Sequence, residues 1–257
     1  MAQPENVQVA VGEMLKDGSN PEGVDPVPPL EWKSKDDFTD VVLYGLMASP
    51  PCIKIMAYFI KYGIEFKTVS GQGKKGSDYK KMPVIDVKGR QVNDSAIIIK
   101  NMVPVLTGKP IDDEWETICS YQLAPSIEFS LSKADAVKWM ADPYGFGIPR
   151  CLLSCCLANV LLNKVVKPGI LKAVAAMPDK YKVLPLDELG GKLKAAIGEK
   201  KFVGGDAVGQ VDISFYGICA PFYFSGCENV KDMISSNGLQ DWWDNMDKEI
   251  PLTKLFP

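Results

Sequence analysis

The chain has 257 residues, of which 46% are hydrophobic, and a formal net charge of −3. This length is enough for one large domain or two ordinary ones, and the mildly acidic balance argues against a nucleic-acid-binding protein. The chain contains no histidine, which excludes a Ser-His-Asp or Cys-His nucleophile and every histidine-ligated metal site.

Seven cysteines are scattered along the chain. An odd, scattered set argues against a secreted disulfide framework and indicates a reducing intracellular compartment, either the cytoplasm or an organelle such as a mitochondrion or plastid. Cys151, Cys155 and Cys156 form the single cluster. We expect these three to be small buried apolar side chains, and we predict no metal site, because no further ligands accompany them. The apolar run around them is too short to span a membrane.

The first 38 residues are rich in proline and glycine and show no hydrophobic period. Such a composition predicts an extended arm, residues 1–38, that lies over the rest of the protein.

Residues 39–108 show strand and helix patterns in alternation. The run "DVVLYG" is typical of a strand, and the helical spacing of apolar residues that follows ends at Gly63. The runs "IEFKTVS", "MPVIDV" and "KGRQV" predict further strands, and "DSAIIIKNMVPVL" predicts another helix. The order β-α-β, then β-β-α, predicts a small α/β domain.

Residues 109–257 have almost no strand signal, so we predict a second, all-α domain. The helix pattern after residue 112 contains Pro125, where we expect a kink or break. The run "GIPRCLLSCCLANVLLNKVV" predicts a largely buried helix, because it is apolar on most sides.

The stretch Ser49-Pro50-Pro51-Cys52 stands where the first strand passes into a helix. Ser49 suits the N-cap and Pro50 the first helical position, which leaves Cys52 in the first turn, where helix amides stabilise a thiolate. Two interpretations remain open for Cys52, a half-buried packing residue or a functional thiol. Ser49 occupies the place of an attacking sulfur, so no disulfide cycle can run between these two positions.

Two further elements are typical of a binding site. A proline that opens a strand after a loop, as Pro83 does after Met82, is a candidate for a cis bond. A cis bond at this place would leave the Met82 backbone able to pair with an extended peptide. Asp94 and Ser95 begin a helix with a carboxylate, a hydroxyl and amides, which can hold an amino-acid head group or simply cap the helix.

In this order the motifs resemble the glutathione transferase superfamily, and within it the membrane-associated prostaglandin E synthase type 2 proteins. The resemblance rests on "VVLYG" with its following cysteine, on "SDYKKMPVIDV", "QVNDSAIII" and the later "KKFVGGDAVGQVDISFYGIC". It implies a thioredoxin-like α/β domain, residues 39–108, followed by an all-α transferase-like domain, residues 109–257. Gly209 and Asp212 in the last motif resemble a capping box with a structural role.

The resemblance also implies a glutathione site. Met82 and Pro83 would hold the cysteinyl backbone, and Asp94 and Ser95 the γ-glutamyl end. The family's catalytic dithiol would fall on Ser49 and Cys52.

The catalytic centre of the family is incomplete in this sequence. Its tyrosine would fall on Leu46, and the first cysteine of the dithiol is Ser49. Two hypotheses follow. In the first, the chain binds glutathione or a small thiol and has weak or altered thiol chemistry. In the second, it is a non-catalytic accessory subunit of a larger protein assembly, which could lie at an organelle membrane.

Overall fold

The computed structural model describes residues 32–71, 79, 81–141 and 148–256, and these divide into two compact units. The first unit contains the described residues up to Leu46 together with Tyr58–Ile111, and the second contains Met47–Ala57 together with the described residues from Asp112 onward. Residues 1–31 of the expected arm lie outside the described residues, and the domain boundaries at 38 and 108 stay predictions.

A four-stranded sheet forms the centre of the first unit. Its strands are β1 (Val41–Gly45), β2 (Phe66–Ser70), β3 (Val84–Val87) and β4 (Arg90–Asn93), in the order β2-β1-β3-β4. β1 runs parallel to β2 and antiparallel to β3, and β4 is antiparallel to β3. Lys88 and Gly89 form the two-residue turn between β3 and β4, and both have a positive φ, as a type I′ hairpin turn requires. The predicted strand and helix order is confirmed.

Two helices accompany this sheet in sequence, α1 (Pro50–Tyr62) and α2 (Ser95–Thr107). α1 ends at Gly63, as predicted, where φ is +60° and the next amide, of Ile64, donates to the Phe59 carbonyl at 2.8 Å. Gly108 ends α2 in the same left-handed conformation. Both helix ends therefore use the glycine that the sequence offers.

Helices make up most of the second unit. They are α3 (Asp113–Thr117), α4 (Ala124–Ser130), α5 (Lys133–Met140), α6 (Arg150–Leu152), α7 (Ala158–Leu161), α8 (Lys167–Ala176), α9 (Leu186–Ile197), α10 (Gln210–Phe224), α11 (Glu228–Ser236) and α12 (Gln240–Glu249). α10 is the core helix of this unit, since every residue from Val211 to Phe222 is buried.

The expected irregularity near Pro125 takes the form of a π turn. Ile118–Leu123 adopts π geometry between α3 and α4, and the residues on both sides keep right-handed helical angles. Because proline has no amide hydrogen, a locally wider turn lets the helix pass Pro125 without a break.

Residues 150–176 form one continuous helix with two further π turns, Leu153–Leu157 and Leu162–Val166, which join α6, α7 and α8. We call it the π-bulged helix. The prediction that this helix is largely buried is wrong, because one side of it is open to solvent. Cys151 is exposed, which corrects its predicted burial; the side chains of Cys155 and Cys156 lie outside the described part of the structure.

Among the described residues, no helix is long and apolar enough to cross a membrane.

Candidate functional site

The turn before α1 carries the first candidate residues. The Ser49 carbonyl accepts from the amides of Cys52 at 3.0 Å and Ile53 at 3.1 Å, so Ser49 directly precedes the first helical residue, Pro50, as predicted. The indole Nε1 of Trp139 donates to the carbonyl of Ala48 at 2.8 Å, and this bond is buried. A tertiary contact within the second unit therefore fixes the turn that presents Ser49.

Cys52 itself is completely buried, with 0% of its side chain exposed, whereas Ser49 is partly exposed. A thiol needs access as well as thiolate character to attack an external electrophile. Any reaction of Cys52 would therefore require local opening of the first turn of α1.

A buried polar network begins at Lys54, two residues after Cys52. The ammonium of Lys54 donates to Glu116 Oε1 at 2.5 Å and to Ser120 Oγ at 2.6 Å, and the Ser120 hydroxyl donates to Glu116 Oε1 at 2.5 Å. Ser214 on α10 donates to the other carboxylate oxygen at 3.4 Å. The sequence does not predict this network, because Lys54 and Glu116 are 62 positions apart and the only local signal is a lysine inside an apolar helix pattern.

Three other cysteines of the second unit are unsuited to nucleophilic chemistry. Burial raises the pKa of Cys119 far above its usual value, and the nearby Glu116 carboxylate adds to the effect. Burial also raises the pKa of Cys219, and it raises that of Cys227 to about 12. These thiols stay protonated and act as small apolar side chains.

The first unit carries the other candidate residues. The Met82–Pro83 peptide bond is cis, as predicted. The amide of Asp94 donates to the carbonyl of Pro83 at 3.1 Å. The structure thus brings together the Met-Pro bend and the Asp-Ser helix start, which are 11 residues apart in the sequence.

Asp94 has an unusual backbone conformation. Its φ is +72° and its ψ is 132°, and its Oδ1 accepts from the Ala96 amide at 2.9 Å, so it caps α2. Positive φ is uncommon for a residue with a Cβ and costs of the order of 1–3 kcal/mol. Such strain persists where the surrounding structure holds it, and it is concentrated at ligand sites. Ser95, the first residue of the helix, is 8% exposed.

A further polar pair adjoins this corner. The Gln91 side-chain amide donates to Asn93 Oδ1 at 2.7 Å, and both side chains are buried. The two residues alternate along β4 and so share one face of the sheet. The polar side chains at alternate positions of "RQVND" are the signal that could have found them.

The candidate residues are divided between the two units. Met82, Pro83, Asp94 and Ser95 belong to the first, while Ser49 and Cys52 belong to the second. Within the described ranges, no group of three or more Cys, Asp or Glu side chains is arranged to hold a metal ion.

Comparison with known proteins supports the fold. The chain resembles a solved glutathione S-transferase from Xanthobacter autotrophicus, with a TM-score of 0.50 and 16% identity over 81% of this chain and 93% of that one. Lower-scoring likenesses include poplar glutathione transferase F1 (TM-score 0.49, 15% identity, 81% and 92% coverage) and rice GST1 in complex with glutathione (0.48, 17%, 85% and 90%). No protein-family model and no curated protein matches the chain.

These comparisons confirm the predicted fold class, a thioredoxin-like α/β domain with an all-α domain, as in glutathione transferases. At such low identity they concern the fold alone, and function has to be argued from the site.

Proposed function

We propose that the chain binds glutathione through the corner formed by Met82, Pro83, Asp94 and Ser95, with weak or altered thiol chemistry. In this corner the helix amides and the Ser95 hydroxyl would receive the γ-glutamyl carboxylate, and the Asp94 carboxylate would receive the ammonium. The Met82 backbone would pair with the cysteinyl residue.

The strained Asp94 is the observation that carries this proposal. A plain helix cap does not require a φ of +72°, because Ser, Thr, Asp and Asn cap helices with ordinary extended angles. Asp112, which caps α3 through its bond to the Trp115 amide, has a φ of −84°. The hydrogen bond from Asp94 to Pro83 holds the strained residue against the Met-Pro bend, which supports a preorganised corner.

The thiol chemistry is proposed to be weak or altered for two reasons. Cys52 is fully buried, and the chain has no histidine to activate either Cys52 or the Ser49 hydroxyl. Glutathione, when bound, brings a thiol of its own.

The closer likeness to prostaglandin E synthase type 2 rests on the sequence motifs alone. Because Leu46 and Ser49 replace the tyrosine and the first cysteine of that family's centre, we do not extend the proposal to prostaglandin isomerisation.

Titration calorimetry with glutathione tests the proposal. Asp94→Asn should weaken binding by about 1–3 kcal/mol, because asparagine keeps the cap and tolerates positive φ but removes the charge that meets the ammonium. Asp112→Asn changes a matched cap on α3 and should leave binding unchanged. If the unmutated chain shows no binding at millimolar glutathione, the proposal is rejected.

The alternative function, a non-catalytic accessory subunit, is favoured by the burial of Cys52 in a chain without histidine. It predicts that the chain is part of a stable complex, and that Cys52→Ala changes neither the assembly nor its activity. Size analysis of the protein from its native source, with an antibody against this chain, would distinguish a monomer from a stable complex.

A further inference from the structure

The π-bulged helix exposes an unusual amount of apolar surface. Six large hydrophobic side chains of the described residues are 36–59% exposed, and four of them belong to this helix. They are Leu152, Val160, Val165 and Leu171, with 48–59% of each side chain exposed, and we call them the outer apolar set.

The core does not explain these four residues. A separate set on the same helix, Leu153, Ala158, Leu162 and Ile170, is buried. The helix packs with that side against α4 and α5. Since its inward packing is complete without the outer apolar set, the exposed side is available to another surface.

Charge on this helix is also segregated. Residues 150–176 contain four of the chain's 29 basic residues and none of its 32 acidic residues. The segment therefore carries +4, while the remainder has 25 basic residues against 32 acidic ones and carries −7. Arg150, Lys164 and Lys172 are exposed; Lys167 lies over the ring of Phe129 at 5.4 Å.

The shape and charge of this surface disfavour a second copy of the chain. A two-fold interface through the helix would bring two segments of +4 against each other, which is repulsive. The outer apolar set is also spread along about 28 Å of helix, at 1.5 Å per residue, instead of forming a compact centre. It has no aromatic or methionine anchor of the kind that enriches protein interfaces.

We infer that the π-bulged helix docks the protein on an anionic lipid surface. In this arrangement the outer apolar set enters the boundary between headgroups and acyl chains, and Arg150, Lys164 and Lys172 meet the lipid phosphates and carboxylates. Helices that lie in the membrane interface combine these two features, an apolar side and a cationic flank without acids. The inference is independent of glutathione binding, because it concerns residues far along the chain from the proposed corner.

Vesicle flotation of the full chain tests the docking. The probes are vesicles of phosphatidylcholine alone and of phosphatidylcholine with phosphatidylserine. The informative variant is Lys164→Glu/Val165→Gln, and the matched control is Lys67→Glu/Val69→Gln, which makes the same changes on an exposed part of β2. All four positions are exposed, so the variants should fold, and circular dichroism checks this.

We expect binding to the serine-lipid vesicles only, and we expect it to weaken as salt rises. One surface lysine contributes about fivefold in affinity, so charge reversal together with loss of a valine should weaken binding at least about tenfold. The control variant should bind like the unmutated chain.

Three outcomes would overturn the inference. The first is that the chain binds vesicles of neither composition. The second is that the control variant weakens vesicle binding as much as Lys164→Glu/Val165→Gln does. The third is a concentration-dependent dimer that Lys164→Glu/Val165→Gln abolishes. The first would leave the surface to an acidic protein partner, and the third would assign it to a second copy of the chain.

Discussion

The ammonium of Lys54 lies 2.5 Å from a carboxylate oxygen of Glu116, and the two side chains are 0% and 7% exposed. Ser120 and Ser214 supply further hydrogen bonds, so the buried charges are solvated by the protein itself. Lys54 belongs to the first turns of α1 and Glu116 to α3. The pair therefore anchors the helix start that carries Ser49 and Cys52 within the helical second unit.

We expect substitutions of Lys54 and Glu116 to have strongly non-additive effects on the free energy of unfolding. Glu116→Ala should lower the free energy of unfolding by about 3–5 kcal/mol, because it leaves the Lys54 ammonium buried without its counter-charge. Lys54→Met/Glu116→Leu should recover most of the loss, since an apolar pair needs no solvation. Urea unfolding measures both variants.

The control for that pair is the exposed ion pair of Glu188 and Lys192, whose atoms are 3.0 Å apart. Glu188→Ala should cost less than about 1 kcal/mol. Additive effects of the single Lys54 and Glu116 substitutions would show that the buried pair is not coupled.

Gly217 is a point of close approach between α10 and α1. A Cβ at this position would lie 2.7 Å from Lys54 Cα and 3.2 Å from Lys54 N, and backbone atoms cannot move aside as a flexible side chain can. Gly217→Ala should therefore lower the thermal midpoint and cost about 1–3 kcal/mol or more. Gly169→Ala, on an open part of α8, should be neutral or stabilising by up to about 1 kcal/mol. Equal midpoints for the two variants would contradict the packing argument.

Asp212 lies in the first turn of α10 and accepts hydrogen bonds from four donors. Its carboxylate accepts from the amides of Val203, Gly204 and Gly209 and from the Trp242 indole, at 2.9–3.1 Å, and the residue is fully buried. Asp212→Asn should cost about 3 kcal/mol, because an amide nitrogen replaces one acceptor and faces donors. The exposed Asp232→Asn should stay within about 0.5 kcal/mol of the unmutated chain in the same denaturation series.

Glu128 on α4 should make stability depend on pH. Burial raises its pKa from 4.5 to about 7, so the folded state holds this proton more tightly than the unfolded state does. The free energy of unfolding should accordingly fall as pH rises from about 4.5 to 7. Because the side chain is partly exposed, we expect a loss of about 1–2 kcal/mol.

Glu128→Gln removes this titration. Between pH 5 and pH 8 the free energy of unfolding of the variant should therefore fall by about 1–2 kcal/mol less than that of the unmutated chain. Glu199→Gln, at an exposed position, should leave the pH profile unchanged. A Glu128→Gln profile that parallels the unmutated one would show that Glu128 titrates normally.

Thiol mapping tests the candidate site at the start of α1. Under native conditions Cys52 should resist alkylation while the exposed Cys151 reacts, because only the second is accessible. Ser49→Cys places a second sulfur one helical turn from Cys52, and we expect a disulfide between the two under mild oxidant, seen as a loss of two hydrogens by peptide mass spectrometry. Rapid labelling of Cys52 in the folded, unmutated chain would instead favour a functional thiol.

The parts that the sequence predicted well depend on short-range chemistry. The helix start after Ser49, the caps at Asp94 and Asp212 and the glycine at the end of α1 follow from residue types within one helical turn. The order of strands and helices along the first unit and the cis bond before Pro83 follow from patterns of similar length.

The parts that it missed depend on distant partners. Lys54 and Glu116 meet only through tertiary folding, and so do Trp139 and the Ala48 carbonyl. The sequence of the π-bulged helix does not reveal its exposed side, because an apolar stretch looks the same whether the protein core or another surface covers it. The positive φ of Asp94 has no sequence signature beyond its residue type.

The two π turns of the π-bulged helix also determine which of its residues face the core. Its buried residues Leu153, Ala158, Leu162 and Ile170 are spaced by five, four and eight positions. In a regular α-helix of about 100° per residue, Leu153 and Ala158 would point about 140° apart. Each π turn absorbs one residue and takes back about 100°, which returns all four to one side of the helix. Deleting a single residue from either turn would rotate the rest of the helix by about 100°, which would turn its buried residues out of the core while leaving the composition almost unchanged.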